Sequence, residues 1–300
     1  MLFQTTRPIY QHLSRKWTQK HRSIQKKLWD THGDSLNWLT KNIPSKHIIA
    51  GSLGGLLLLS TPSSMAVSQQ HLTTSSESAV KGFDKNVLLS EQLTKMVPQE
   101  MRSLNTSEEQ TISKTLSDSF DFKVTPGIDG VRLNRAYGMI GGEQHLYRYP
   151  GDNLHKHADT SSDWAMYGGS GIAPGLGAWG YFTPSEAQFT EKDKLREKYY
   201  IAVQTFLAPG FAENVAKYRD FFKFRKMLLV NPKTGQAVVT VIGDAGPAEY
   251  TGKHLGGSPE VMEAVGLAGG PRKGAVLYFF IDDPNDQIPL GPISAKGGVN

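Results

Sequence analysis

Cysteine is absent from the 300-residue chain. Thiol catalysis, cysteine-ligated zinc and disulfide staples are therefore excluded, although a chain of this length buries a core without staples and the redox compartment stays open. A basic domain is missing too. The formal net charge is +5, yet residues 1–46 hold nine Lys/Arg against Asp30 and Asp34, which leaves 24 Lys/Arg against 26 Asp/Glu in the remainder. That balance offers no cationic surface to a phosphate backbone, and no nucleic-acid partner is expected. The Gly-rich "GGSGIAPGLGAWG" lacks the Lys-Ser/Thr of a phosphate loop and its strand-then-helix setting, so it reads as a turn-rich loop and no cofactor is expected. Long apolar runs are scarce: Ile48 to Leu59 is uncharged, but it is shorter than the roughly 20 residues of a membrane-spanning helix and soon meets Pro62.

What stands at the N-terminus has the order of a secretory signal: a basic region, a short apolar region, then Ser64 and Ala66 at −3 and −1 of a cleavage site. The long basic region also suits an uncleaved signal-anchor that keeps its basic end in the cytoplasm. Both readings export the rest of the chain to periplasm, wall or medium, with membrane attachment only through residues 47–66. Residues 67–86 are polar and Ser/Thr-rich and read as a tether. A helical segment is expected over 87–126, where "VLLSEQLTKMV" has helical apolar spacing and Thr106 with Glu109 has the form of a capping box.

From there the chain reads as mainly β. Residues 127–164 form a Gly- and aromatic-rich lead-in, a barrel is expected over 165–285, and a tail over 286–300. Strands are expected at Lys198 to Leu207, Phe224 to Asn231, "QAVVTVIGD" and "GAVLYFFID", with "NPKTG" as a turn. One helix, Ser258 to Leu267, has Ser258 as N-cap and Pro259 at its first position.

The run "MLLVNPKTGQAVVTVIGDAGPAEYTGKHLGGSPEVMEAVGL" resembles the signature half of a double-psi β-barrel of the rare lipoprotein A, barwin and expansin kind. The shared order is a strand, an Asn-x-x-x-Gly hairpin (Asn231 to Gly235), a Val-rich strand (Ala237 to Ile242), Asp-x-Gly-Pro (Asp244 to Pro247) and a Ser-led helix whose ending here reads Val-Gly rather than Leu-Gly (Ser258 to Gly266). Upstream, "EQHLYRYPGD" resembles segments of exported wall-associated proteins, with no chemistry assigned to it. The resemblance implies a barrel that acts on or binds cell-wall polysaccharide, peptidoglycan or a related glycan. Its bacterial members include lytic transglycosylases, whereas expansins bind and loosen walls without hydrolysis, so fold alone does not choose the activity.

In the enzymes resembled, the Asp of the Asp-x-Gly-Pro turn is the general acid/base, and here that residue is Asp244. Protonating a glycosidic oxygen calls for a carboxylic acid that keeps its proton near neutral pH, which desolvation by apolar strands provides. The same Asp is also an ordinary turn former that bonds its own backbone. A second carboxylate for plain hydrolysis would come from Asp220, Glu249 or Glu260, the last placed to serve its helix dipole. The chain departs from the transglycosylase pattern at "NVAKYRDFFKF", which lacks an Ala-His before the strand; His145 and His254 are the imidazoles left to contact substrate, or are structural. His155 and His157 in "HKH" do not by spacing alone make a metal site, and none is assigned. For stacking on sugar rings the expected residues are Tyr250 and Trp179, from an aromatic set that also holds Tyr147, Tyr149, Tyr181 and Phe182. Three readings follow: a lytic-transglycosylase-like lyase, a non-catalytic wall-binding module, and a protein-interaction barrel.

Overall fold

The computed structural model describes residues 75–296, with side chains from residue 85 onward. The signal or anchor at 1–66 and the tether's residues 67–74 lie outside the described residues. Among the described residues no helix is long and apolar enough to cross a membrane.

Two helices come first, α1 (Ser75–Met96) and α2 (Thr106–Phe120). The first begins inside the stretch read as a tether. The capping box of α2 closes one residue earlier than its spacing suggests: Asn105 Oδ1 accepts the Glu108 N–H at 2.9 Å, and Glu108 accepts the Asn105 N–H at 2.8 Å. Asn satisfies an orphan donor as well as Thr does, and the shift leaves Glu109 buried against Arg132 at 2.8 Å.

Short strands β1 (Val124–Thr125), β2 (Gly127–Ile128) and β3 (Val131–Arg132) lead to β4 (Tyr137–Gly142). A long excursion over 143–199 carries α3 (Ser161–Tyr167) and α4 (Glu191–Lys198). Then come β5 (Tyr200–Val203), α5 (Val215–Phe222), β6 (Lys226–Val230) and β7 (Ala237–Ala245). The chain continues through β8 (Leu255–Gly257), α6 (Pro259–Ala264), β9 (Lys273–Ile281) and β10 (Gly291–Ile293).

Six of these strands close a ring in the order β9, β4, β8, β5, β7, β6 and back to β9. The pairs β4–β8 and β5–β7 are parallel and the other four antiparallel. The architecture is therefore mainly β, a closed six-stranded mixed barrel compatible with a double-psi fold. The first barrel strand lies at 137–142, ahead of the expected start at 165. "YGMIGG" looks like turns because of its glycines, but those glycines answer to close approach: a Cβ on Gly138 would sit 2.9 Å from the His254 Cβ. The strand expected over 198–207 is likewise shorter, because α4 runs to Lys198 and a 3-10 turn begins at Thr205.

Alternation along β6 and β9 explains why both read as unbroken apolar runs. Met227, Leu229, Val276, Tyr278 and Phe280 point into the barrel with Ile140, Ile201 and Ile242, and α6 closes that interior with Val261 and Met262. Leu228, Val230, Leu277, Phe279 and Ile281 point outward, where Leu89 and Leu93 of α1 and Ile112, Leu116 and Phe120 of α2 cover them. Both faces are dry, so neither strand needs polar positions. The hairpin joining β6 to β7 is pinned by Asn231, whose amide donates to the Val265 carbonyl at 2.9 Å at the end of α6.

Candidate functional site

Asp244 stands where β7 leaves the barrel. The parallel register of β5 and β7 matches Ile201 with Ile242 and then Ala202 with Asp244, skipping Gly243. This bulge re-aims the strand end. It forms at Gly243 because β5 passes too close for a side chain: a Cβ there would lie 2.6 Å from the Tyr200 Cβ. Beyond the bulge, the buried Gln204 braces the turn by donating to the carbonyls of Pro247 at 3.0 Å and Lys253 at 3.3 Å.

The Asp244 carboxyl is partly buried. Its Oδ1 accepts the N–H groups of Ala178 at 2.6 Å and Ala245 at 2.7 Å. Gly177 lets the 174–182 loop lie on this carboxyl, since a Cβ there would stand 3.2 Å from Cγ. Burial pushes the Asp244 carboxyl above its ordinary range, and the two N–H donors act in the opposite direction. Among the described residues Oδ2 takes no hydrogen bond. The arrangement is a fixed, partly desolvated carboxyl with one oxygen available, which suits proton transfer or a sugar hydroxyl.

The other residues singled out from sequence do not all gather at this turn. Tyr250 lies in the 3-10 turn Glu249–Thr251 that follows the Asp244 turn and is 94% exposed. Trp179 adjoins Ala178 but packs against the barrel interior; part of it lines a cleft of about 220 Å³ with Ala216, Arg219, Asp220 and Lys223. Its indole N–H is buried with no partner among the described residues. His254 is occupied: Nδ1 accepts the Met139 N–H at 2.9 Å, and burial, with Arg135 nearby, lowers its pKa. His145 lies in the interior at 1% exposure. No imidazole hydrogen-bonds to Asp244 among the described residues.

A second polar centre is built by the 143–199 excursion. Glu197, from the last turn of α4, accepts the Leu146 N–H at 3.0 Å and lies 3.2 Å from His145 Nδ1 and 3.1 Å from His157 Nδ1. His157 Nε2 is 3.0 Å from Asp152, and Asp152 is held by Arg148 through Nε at 2.9 Å and Nη2 at 2.8 Å. Burial alone would lower the His157 pKa, but its bonds to Asp152 and Glu197 outweigh burial and hold it up at about 9. For Glu197 the opposition runs the other way: burial would raise the carboxyl, and the two imidazoles hold it down at about 2. Beside this centre Glu260 is 5% exposed and both its oxygens lack a partner among the described residues. Burial, then the charge of Glu197, push its carboxyl up to about 7. The dipole role read for Glu260 from its place in the helix therefore leaves its main feature unexplained, namely its isolation from donors.

Sequence reasoning did not find Asp152, Arg148, Glu197 or the pairing of His145 with His157. The one signal was the density of ionisable residues in the aromatic "HLYRYPGD", since charges amid rings must find each other if they are buried. Glu197, about fifty residues on, carries no local mark.

No protein-family model, curated protein or solved structure matches this chain.

Proposed function

We propose that the chain is an exported protein acting on cell-wall glycan, a lytic-transglycosylase-like lyase of the rare lipoprotein A kind with Asp244 as its single general acid/base. The observation that carries this reading is the Asp244 carboxyl at the barrel rim: raised by burial, oriented by two N–H donors on Oδ1 and open on Oδ2. The protonated carboxyl donates to the glycosidic oxygen as the bond to the anomeric carbon breaks. The carboxylate then takes the proton from the sugar hydroxyl that closes the anhydro ring, which regenerates the acid and consumes no water. Tyr250 offers a bare ring face for a neighbouring sugar.

The test uses purified sacculi and the full chain. Soluble products with 1,6-anhydro ends, about 18 Da lighter than hydrolysed ends, are expected from the wild type, and Asp244→Asn should abolish release while retaining pull-down. Full activity in Asp244→Asn would remove the residue from the chemistry. Tyr250→Ala should weaken pull-down with an unchanged melting temperature.

A second reading, a wall-binding module without turnover, is favoured by one feature. Both imidazoles read from the sequence as candidates for substrate contact are committed elsewhere, His254 to the Met139 N–H and His145 to the buried centre. Pull-down without release by the wild type across about pH 4 to 8 supports that reading.

A further inference from the structure

We propose that His145, His157 and Glu197 bind a divalent transition-metal ion of the zinc type, with Asp152 as the carboxylate that orients His157. The three side chains each offer a ligand atom, and these atoms lie within 4.8 Å of one another. The Glu197 oxygens stand 3.2 and 3.1 Å from the two Nδ1 atoms. Ligands about 2.0–2.1 Å from a shared tetrahedral ion are themselves separated by about 3.3–3.4 Å; the two Glu197–imidazole distances match this, and the wider separations, within 4.8 Å, close as the ion binds. Two imidazoles and a carboxylate form a donor set that suits zinc.

The surroundings match a metal site beyond its ligands. A ligating imidazole characteristically gives its other nitrogen to a carboxylate, and His157 gives Nε2 to Asp152 at 3.0 Å. Asp152 is in turn fixed by two N–H groups along one edge of the Arg148 guanidinium. A self-contained ion-pair network accounts for these contacts but not for Glu260, a further buried carboxyl with no donor for either oxygen among the described residues. A dication held by Glu197 would offset the charge of that carboxyl. The void beside the two rings, lined in part by Leu154, Trp164 and Tyr167, has no room for a water molecule. Glu197 therefore binds through both oxygens, one toward each Nδ1, which gives the ion four protein donors without a water. The ion is taken up as the excursion folds and holds the excursion to α4. Uptake displaces the hydrogens on the two Nδ1 atoms and is favoured by rising pH.

The experiment uses the full chain with His12, His21, His32, His47 and His71 replaced by Gln, so that residues before the described region supply no imidazole. The protein is unfolded in chelator, refolded with zinc or cobalt(II), desalted and analysed for metal. About one ion per chain is expected, with X-ray absorption giving two imidazoles at roughly 2.0–2.1 Å and no sulfur. Asp152→Asn should weaken affinity about 10–100-fold, and His157→Gln should abolish binding. Retention of no ion overturns the proposal, as does a bound ion with fewer than two imidazoles, or one whose affinity is unchanged in His157→Gln. The stoichiometry and the absorption spectrum come from protein with an intact site, so a variant that fails to fold does not shield the proposal.

Discussion

Asp244 and Glu260 are both carboxyls raised by burial, and their surroundings give them different consequences. Asp244 keeps two N–H donors and an open oxygen, so its raised pKa suits the acid/base role proposed for it. Glu260 has no side-chain partner among the described residues, so its raised pKa is a stability term. In the metal-free chain the unfolded state releases this proton near 4.5, while the folded state holds it to about 7. The folded state's advantage is therefore complete below 4.5 and is lost as pH climbs through about 7. Glu260→Gln, which cannot ionise, should raise metal-free stability by about 2–3 kcal/mol near pH 8 and by little near pH 4.5. Urea midpoints at the two pH values check this, and an equal gain at both would mean that the carboxyl is not held protonated by the fold.

Among the elements, β7 does most to position the site. It pairs with β6 and β10 through its first half and with β5 through its second, and the Gly243 bulge separates the antiparallel ladder from the turn that carries Asp244. Gly243→Ala places a methyl 2.6 Å from the Tyr200 Cβ, and overpacking of this kind costs about 1–3 kcal/mol. The strain falls on the bulge itself. We therefore expect a lower urea midpoint together with loss of whatever glycan activity or binding Asp244 supports. A destabilised variant with unchanged glycan behaviour would show that the bulge does not aim the carboxyl.

On the scale of the whole molecule, the barrel is tied to its C-terminal segment by charge. Lys226 at the start of β6 bonds Asp283 at 2.7 Å and Asp286 at 2.6 Å, and it also donates to the Ile288 carbonyl. The Asp283 side chain is 6% exposed and also accepts the Gln287 and Ile288 N–H groups at 2.9 Å. Burial would raise the Asp283 carboxyl, but these donors hold it below its usual range, while Lys192 and Lys226 hold Asp286 at about 2. Both carboxyls would titrate near 3.8 in the unfolded chain, so their contribution is present above 3.8 and is lost as pH falls toward about 2. Melting temperature should drop steeply over that window. Asp283→Asn should cost about 1.5–3 kcal/mol at neutral pH, since Lys226 loses one charged partner but keeps Asp286 and the Ile288 carbonyl, and should flatten the acid drop. An unchanged acid profile in the variant would assign acid unfolding to other carboxyls.

The sequence by itself determined the later strands, the Asn231 to Gly235 hairpin, the Ser258-capped helix and the Asp244 turn. Each is written in neighbouring residues, through alternation, turn chemistry or a cap, and needs no distant partner to be read. The start of the barrel was not legible at residue 137, because Gly138 is required by the close approach of His254, and locally the glycines of β4 imitate a loop. The excursion's polar centre was illegible for the same reason. His145, Asp152 and His157 lie in one short stretch, but what they do depends on Glu197 and Glu260, which only folding brings beside them. Burial itself, which raises Asp244 and isolates Glu260, belongs to the folded barrel: a side chain's distance from water is set by residues remote in the chain, and only the tertiary structure decided it.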